Sequence, residues 1–321
     1  MGLAPTNLPN HRLKRYAGDD MAVPIGSLAE KDQALVEKVY GHLRRLFAIL
    51  QEEGAACEQA LRGFLEAEDI RDFVDEVQSL GVETYRANRT ELVAKAIHDV
   101  RGGGLTPLLA QLQLWTLDGV SRPRESLYFL TRDHLKIMRN ALLGLDDARR
   151  NADLQTKIHG TDLIVEKWHG SHWHSDRSTL RLEVDCPFPV AISDCCVEFG
   201  ALDRVLYNLL NNACRHAAGD NLQLAIFPVP DKRARNLRFV LLNALSGEDD
   251  ARLQHTDMEA LFRAGVSTTG SGYGLNVAAE FVAHAFGIAR PETAVAAGYL
   301  GARVLSHRFA IWFHWPILPT R

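Results

Sequence analysis

The pattern of this 321-residue chain predicts an α+β protein, with an N-terminal all-helical region followed by a two-layer α/β sandwich. Two observations carry that prediction. Up to about residue 160 the apolar residues recur three and four apart, with no long strand-like alternation. Beyond it, short β-type runs interleave with two helical stretches, at 200–217 and 274–286. A hydrophobic content of 46% supports a sizeable core, and the length suits about two domains.

Residues 1–26 carry prolines and charges without a period and read as a flexible arm. Residues 27–85 read as a helical input or docking region. Ser27 can cap a helix with Glu30 three residues on, and Leu35, Val36, Val39, Leu43, Leu46, Phe47 and Leu50 repeat at three and four. Further helical stretches follow through Cys57–Leu65 and Ile70–Val77.

Residues 86–158 read as a helical hairpin. Leu92, Val93, Ala96, Ile97 and Val100 form the face of its first arm, which continues past Gly102–Gly104 into Leu105–Leu117. Ser121-Arg-Pro-Arg124 reads as a turn, and a second helix runs from Glu125 to about Asp153. Such a hairpin buries its stripe well against a copy of itself, so a homodimer joined by a four-helix bundle is expected. Strand-type runs then appear at Asp162–Glu166, Leu180–Val184, Val190–Ser193, Leu222–Phe227, Leu237–Leu242 and Phe309–Trp315, as in a mixed sheet with helices on one face.

Two stretches of 159–321 carry chemistry. At helical spacing, Val205, Leu206, Leu209, Leu210 and Ala213 form an apolar stripe, while Asn208, Asn212, Arg215 and His216 recur on an adjoining face. Carboxamide oxygens can hold Mg²⁺, which takes substrate phosphate as a co-ligand, and a guanidinium forks onto phosphate oxygens. Downstream, Leu261–Leu275 has glycines at 270, 272 and 274 and feeds an apolar helix, the arrangement of a phosphate-binding helix start. It is neither a P-loop nor a Rossmann fingerprint, since no Gly-Lys-Ser/Thr follows and no strand directly precedes it.

Together these stretches resemble the N box (Asn208-Leu-Leu-Asn-Asn212-Ala-Cys-Arg215-His216) and the F box with second glycine box (Leu261-Phe-Arg…Gly270-Ser-Gly272-Tyr-Gly274-Leu275) of sensor histidine kinases. The wider family is that of the gyrase, chaperone and mismatch-repair ATPases. The resemblance covers about the last half of the chain and implies ATP and Mg²⁺ as cofactors. It assigns Mg²⁺ to Asn212 aided by Asn208, and the triphosphate to Arg215 and His216. Ser267, Thr268, Gly270, Gly272, Gly274 and Leu275 would wrap the phosphates, with residues 246–271 as a mobile lid. Asn243 stands where the first glycine box has an aspartate that reads adenine. Its carbonyl oxygen can still accept, at a loss of about 1 kcal/mol against a carboxylate.

Upstream, His98-Asp99-Val100-Arg101 resembles the start of the H box. By that resemblance His98 takes the γ-phosphoryl, Asp99 assists its proton, and the phosphoryl passes to an aspartate on a response regulator receiver domain. Gly102 and Gly103 replace the family's Asn/Thr and Pro, and glycines in a helix cost about 1 kcal/mol each, so the helix is expected to bend or break there. His134, beside Asp133 on the second helix, is the rival acceptor, and His159 a weaker one.

A net charge of −4 does not mark a nucleic-acid binder. No apolar run approaches the roughly 20 residues of a membrane span, and the N-terminus lacks a signal-peptide pattern, so a soluble cytoplasmic kinase is expected. Five cysteines without metal-type spacing suggest reduced thiols. His169, His172 and His174 suggest a polar hairpin or loop before a metal site. The rival reading is an ATP-independent phosphotransferase or pseudokinase scaffold, motivated by Asn243; an ATPase or serine-directed kinase that never uses His98 is a third.

Overall fold

The computed structural model describes residues 16, 18, 21–67, 70–87, 90–118, 124–174, 179–229, 236–263 and 272–318. It divides into two units, Gly18–Asp153 and one built on Leu154–Arg321.

The first unit follows the helical periodicity. A two-residue strand, β1 (Val23–Pro24), precedes α1 (Glu30–Leu50), α2 (Gly54–Ala67), α3 (Ile70–Ser79), α4 (Val82–Ala87), α5 (Glu91–Arg101), α6 (Leu105–Asp118) and α7 (Arg124–Ala141). Then come β2 (Leu142–Leu143) and α8 (Asp147–Asp153). Val36, Val39, Leu43, Leu46 and Leu50 are all buried along α1, which packs on α7. Ser27 is not its cap. It lies in a 3₁₀ turn, and the N-cap is Ala29, whose N–H donates to Thr84 Oγ1 (2.9 Å). Buried Asp32 instead caps α4, accepting from Gly81 N (2.9 Å), Thr84 N (2.7 Å) and the Thr84 hydroxyl (2.6 Å).

The hairpin's first arm breaks at the glycines, as their helix cost leads one to expect, with Gly102 ending α5 and Gly103 at φ +48°. A Cβ on Gly103 would lie 3.1 Å from Ile137 Cδ1 and 3.3 Å from the Asp99 carbonyl, so the break is also a close contact with α7. The second arm stops at Ala141, where Leu142–Leu143 pairs in parallel with Val23–Pro24 and Gly144 takes φ +88°. Asp146 then accepts from Tyr40 (2.8 Å), and Arg139 forks onto Asp153 (2.6 and 2.9 Å) to hold α8. Leu105, Leu108, Leu112, Leu127 and Met138 are fully buried within one chain, so their burial does not require a second copy. Val23 and Met21, in the stretch expected as an arm, belong to this core. Residues 1–15 and Ser121–Pro123 of the expected turn lie outside the described residues.

The second unit begins with β3 (Thr156–Gly160), α9 (Asp162–Trp168), β4 (His172–His174), β5 (Thr179–Asp185), β6 (Ala191–Cys195) and α10 (Cys196–His216). It continues with β7 (Asn221–Pro228), β8 (Asn236–Ala244), α11 (Gly247–Gln254), α12 (Gly274–Ala285), α13 (Pro291–Ala296), β9 (Leu300–Leu305) and β10 (Arg308–Pro316). Six strands form a mixed sheet in the order β4-β5-β7-β8-β10-β9, with β5 and β7 parallel and the other pairs antiparallel. Parallel neighbours need a crossover, and α10 supplies it. Alternation puts Leu180, Leu182, Leu222, Leu224, Leu237, Phe239, Leu241, Ile311 and Phe313 on one buried face, against which α10 and α12 pack.

The run Asp162–Glu166 is helix, not strand. Ile164, Lys167 and Trp168 fall on one helical face, and Lys167 closes onto Asp203 of α10 (2.6 Å) beneath the Trp168 and Tyr207 rings. That tertiary contact outweighs the β-branched local preference. β9 and the short β3 and β4 were not legible as strands. Among the described residues no helix is long and apolar enough to cross a membrane.

Candidate functional site

Three elements meet at one end of the sheet, and their placement follows from a few contacts. The turn after α10 is tied to the end of β8, Ala218 N donating to Ala244 O (2.9 Å), so the C-terminal half of α10 lies at that end. At the other end of the strands, β8 residue Arg238 pairs in register with His314, whose N–H donates to Tyr299 O (2.8 Å). Tyr299 packs on Phe286, the residue after α12, with centroids 4.7 Å apart. The C-terminus of α12 therefore lies at the far end and its N-terminus beside that of Ala244. Arg204 of α10 lies over the Phe281 ring of α12 at 4.3 Å, and the two helices pack together. The last turns of α10, the end of β8 and the start of α12 therefore lie toward the same end of the sheet.

Each side chain has a distinct setting. Asn208 is buried, and its Nδ2 donates to Arg204 O (2.9 Å), so it acts from beneath the surface. Asn212 and His216 are half-buried and Arg215 is exposed, leaving the polar face of the last turns open. Asn243 is 3% exposed at the end of β8, between Leu222 and Phe309. Its Nδ2 donates to Ala244 O (3.0 Å), and its Oδ1 is buried with no hydrogen-bond partner. An orphaned acceptor of this kind fits a ligand bearing an amino group, as adenine does.

At the third element, Gly272 takes φ +75°, Tyr273 is the N-cap, and Gly274 and Leu275 open α12 half-exposed. First-turn N–H groups there suit phosphate oxygens. Ser267, Thr268 and Gly270 lie outside the described residues.

Part of the stretch expected as a lid is ordered. Ser246 caps α11, accepting from Asp249 N and donating to Asp249 Oδ2 (both 3.1 Å), and Asp250 meets His307 of the β9–β10 turn (2.6 Å). The Ser246-x-x-Asp249 spacing is the signal that would have placed this helix. Asn276, absent from the sequence expectations, donates to Phe262 O (3.1 Å) and ties the F-box turn to the start of α12.

The acceptor candidates lie in the other unit. His98 is half-buried on α5, whereas Asp99, one position and about 100° round the helix, is buried at 2% exposure. Gly102 sits against His98, where an added Cβ would be 2.9 Å from the His98 carbonyl and 3.9 Å from Cε1. His134 is fully buried in α7, and burial pushes its pKa down to about 3, keeping the ring neutral and out of reach. In the second unit His159 is also buried. The residues His169, His172 and His174 do not gather. His169 accepts from Val184 N (3.1 Å), His174 meets Thr179 Oγ1 (2.9 Å), and β4–β5 is an edge hairpin.

Solved structures that the chain is similar to include histidine kinases. The Acinetobacter baumannii histidine kinase AdeS matches at 18% identity and TM-score 0.32, over 69% of this chain and 98% of that one. The histidine kinase domain of the E. coli osmosensor EnvZ matches at 15% and 0.31, over 52% and 92%. The histidine kinase domain of the Erythrobacter litoralis blue-light activated kinase matches at 12% and 0.31, over 88% and 94%. No family model matches, and no curated protein matches by sequence. The residue roles therefore rest on this chain's own geometry.

Proposed function

We propose that this chain is a sensor histidine kinase. Its C-terminal unit binds Mg²⁺-ATP and its helical unit accepts the γ-phosphoryl on His98. The observation that supports this best is that the last turns of α10, the end of β8 and the start of α12 lie toward the same end of the sheet, with an unsatisfied acceptor at Asn243.

In this reading Asn212 offers its oxygen to Mg²⁺ and Asn208 stiffens the helix beneath it. Arg215 and His216 neutralise the phosphates, with the backbone of Gly272–Leu275 opposite, while Asn243 accepts from the adenine amino group. Mg²⁺ held there would withdraw charge from the phosphate oxygens, and positioning by these residues would do most of the rest. The His98 ring nitrogen forms the new P–N bond as the β–γ bridging P–O bond breaks and ADP leaves. Asp99, being buried, supports the helix and the field around His98 rather than touching the phosphoryl. His98 belongs to the other unit, so transfer requires an encounter of units, within one chain or across a homodimer. A separate response regulator receiver domain would be the final acceptor.

The test is incubation of the purified chain with γ-labelled ATP and Mg²⁺. Acid-labile label on the protein, lost in His98→Ala and kept in His134→Leu, is the expected result. Label surviving His98→Ala overturns the acceptor. Asn243 in place of aspartate favours one second reading, an ATP-independent scaffold of the same build. That reading gains if no label appears and no nucleotide binds at millimolar concentration.

A further inference from the structure

The first turn of α10, at the end of that helix away from Asn212, carries a thiol in contact with an imidazole. Cys196 is the first residue of α10 and is half-buried, and its Sγ lies 3.4 Å from His159 Nε2. His159 is well fixed: it pairs with Ser193 across β3 and β6, its ring stacks on Phe199 at 4.9 Å, and it is 4% exposed. The adjacent Cys195 is buried and its thiol faces the Tyr16 carbonyl (4.0 Å). None of these groups belongs to the nucleotide site.

A reactive thiol needs a group to take its proton, a field that favours the sulfur anion, and access. With the ring proton on Nδ1, His159 Nε2 is the proton acceptor. The first-turn N–H groups of this 21-residue helix favour the sulfur anion while the carboxylates of Asp194 and Glu198 at the same helix start oppose it, so the contact with His159 carries the activation, and half-burial leaves access. We propose that Cys196, with His159 as its base, is a site of oxidation by hydroperoxides. The thiol proton passes to Nε2 and the sulfur attacks one peroxide oxygen, forming the S–O bond as the O–O bond breaks. Sulfur gives up two electrons to the departing oxygen, which takes the proton from His159 and leaves as water or an alcohol. The product is a sulfenic acid on Cys196.

Cys186 is the internal control, being also half-buried but with its thiol toward the Phe188 carbonyl (3.7 Å). The full chain is treated with limiting iodoacetamide near neutral pH and its cysteines are mapped by mass spectrometry. Cys196 should alkylate about tenfold faster than Cys186. His159→Gln should bring Cys196 down to the Cys186 rate, with Cys195 still unreactive as the sign of an intact fold. Hydrogen peroxide followed by a 1,3-diketone trap should tag Cys196 and not Cys186. Equal alkylation of Cys196 and Cys186 in the unaltered chain overturns the proposal, and so does an untagged Cys196 after peroxide.

Discussion

Asn243 stands where the motif it resembles has an aspartate, and its geometry decides what that substitution does. A carboxamide can present either its oxygen or its nitrogen, and an unconstrained one would read a purine amino group or a purine carbonyl equally well. Here Nδ2 is committed to the Ala244 carbonyl, so Oδ1 alone faces away, buried and unsatisfied. Adenine offers that oxygen a donor; guanine would set a carbonyl against it. Mg²⁺-ATP should therefore bind about tenfold or more tighter than Mg²⁺-GTP, measured by competition with a fluorescent nucleotide. Asn243→Asp should strengthen ATP binding, and Asn243→Ala should remove most of the discrimination. Equal affinity for the two nucleotides would contradict the pinned orientation.

Elements whose pattern and packing agree were legible in the sequence, and those decided by long-range contacts were not. The α10 helix shows its apolar stripe and its polar face in one period, and β5 and β7 alternate cleanly, so helix, strand and candidate site could be read together. Asp162–Glu166 could not, because the Lys167–Asp203 pair that anchors its helix joins residues 36 positions apart. The end of the second hairpin arm at Ala141 is similar, since Leu142–Leu143 leaves the helix to pair with residues 23–24. The α3–α4 connection offers a test at this scale. Gly81 takes φ +84°, a Cβ there would collide with the Ile97 side chain, and its N–H is held by Asp32. Gly81→Ala should destabilise the N-terminal unit by roughly 3 kcal/mol and Asp32→Ala by about 2–4 kcal/mol, read from denaturant unfolding. Wild-type midpoints for both would show that this joint carries no strain.

At the scale of the whole molecule, His134 in the first unit and His314 in the second are buried where protonation is disfavoured. Burial pushes His134 down from 6.5 to about 3 in the first unit. In the second, burial and then the neighbouring Arg238 push His314 from 6.5 to about 4, against the backbone contact at Tyr299. The unfolded chain takes up these protons as pH falls below 6.5 and the folded units do not, so stability is full above that value and declines toward the folded pKa. Between about pH 7.5 and about pH 5 the loss should be roughly 2 kcal/mol per unit, and His134→Leu should flatten the curve of the helical unit alone. If α10, β8 and α12 enclose a magnesium-nucleotide site, calorimetric titration of the full chain with ATP, with and without Mg²⁺, should show Mg²⁺-dependent binding in the micromolar range that Asn212→Ala abolishes. An absence of heat at millimolar ATP, or binding that Asn212→Ala leaves unchanged, would contradict it.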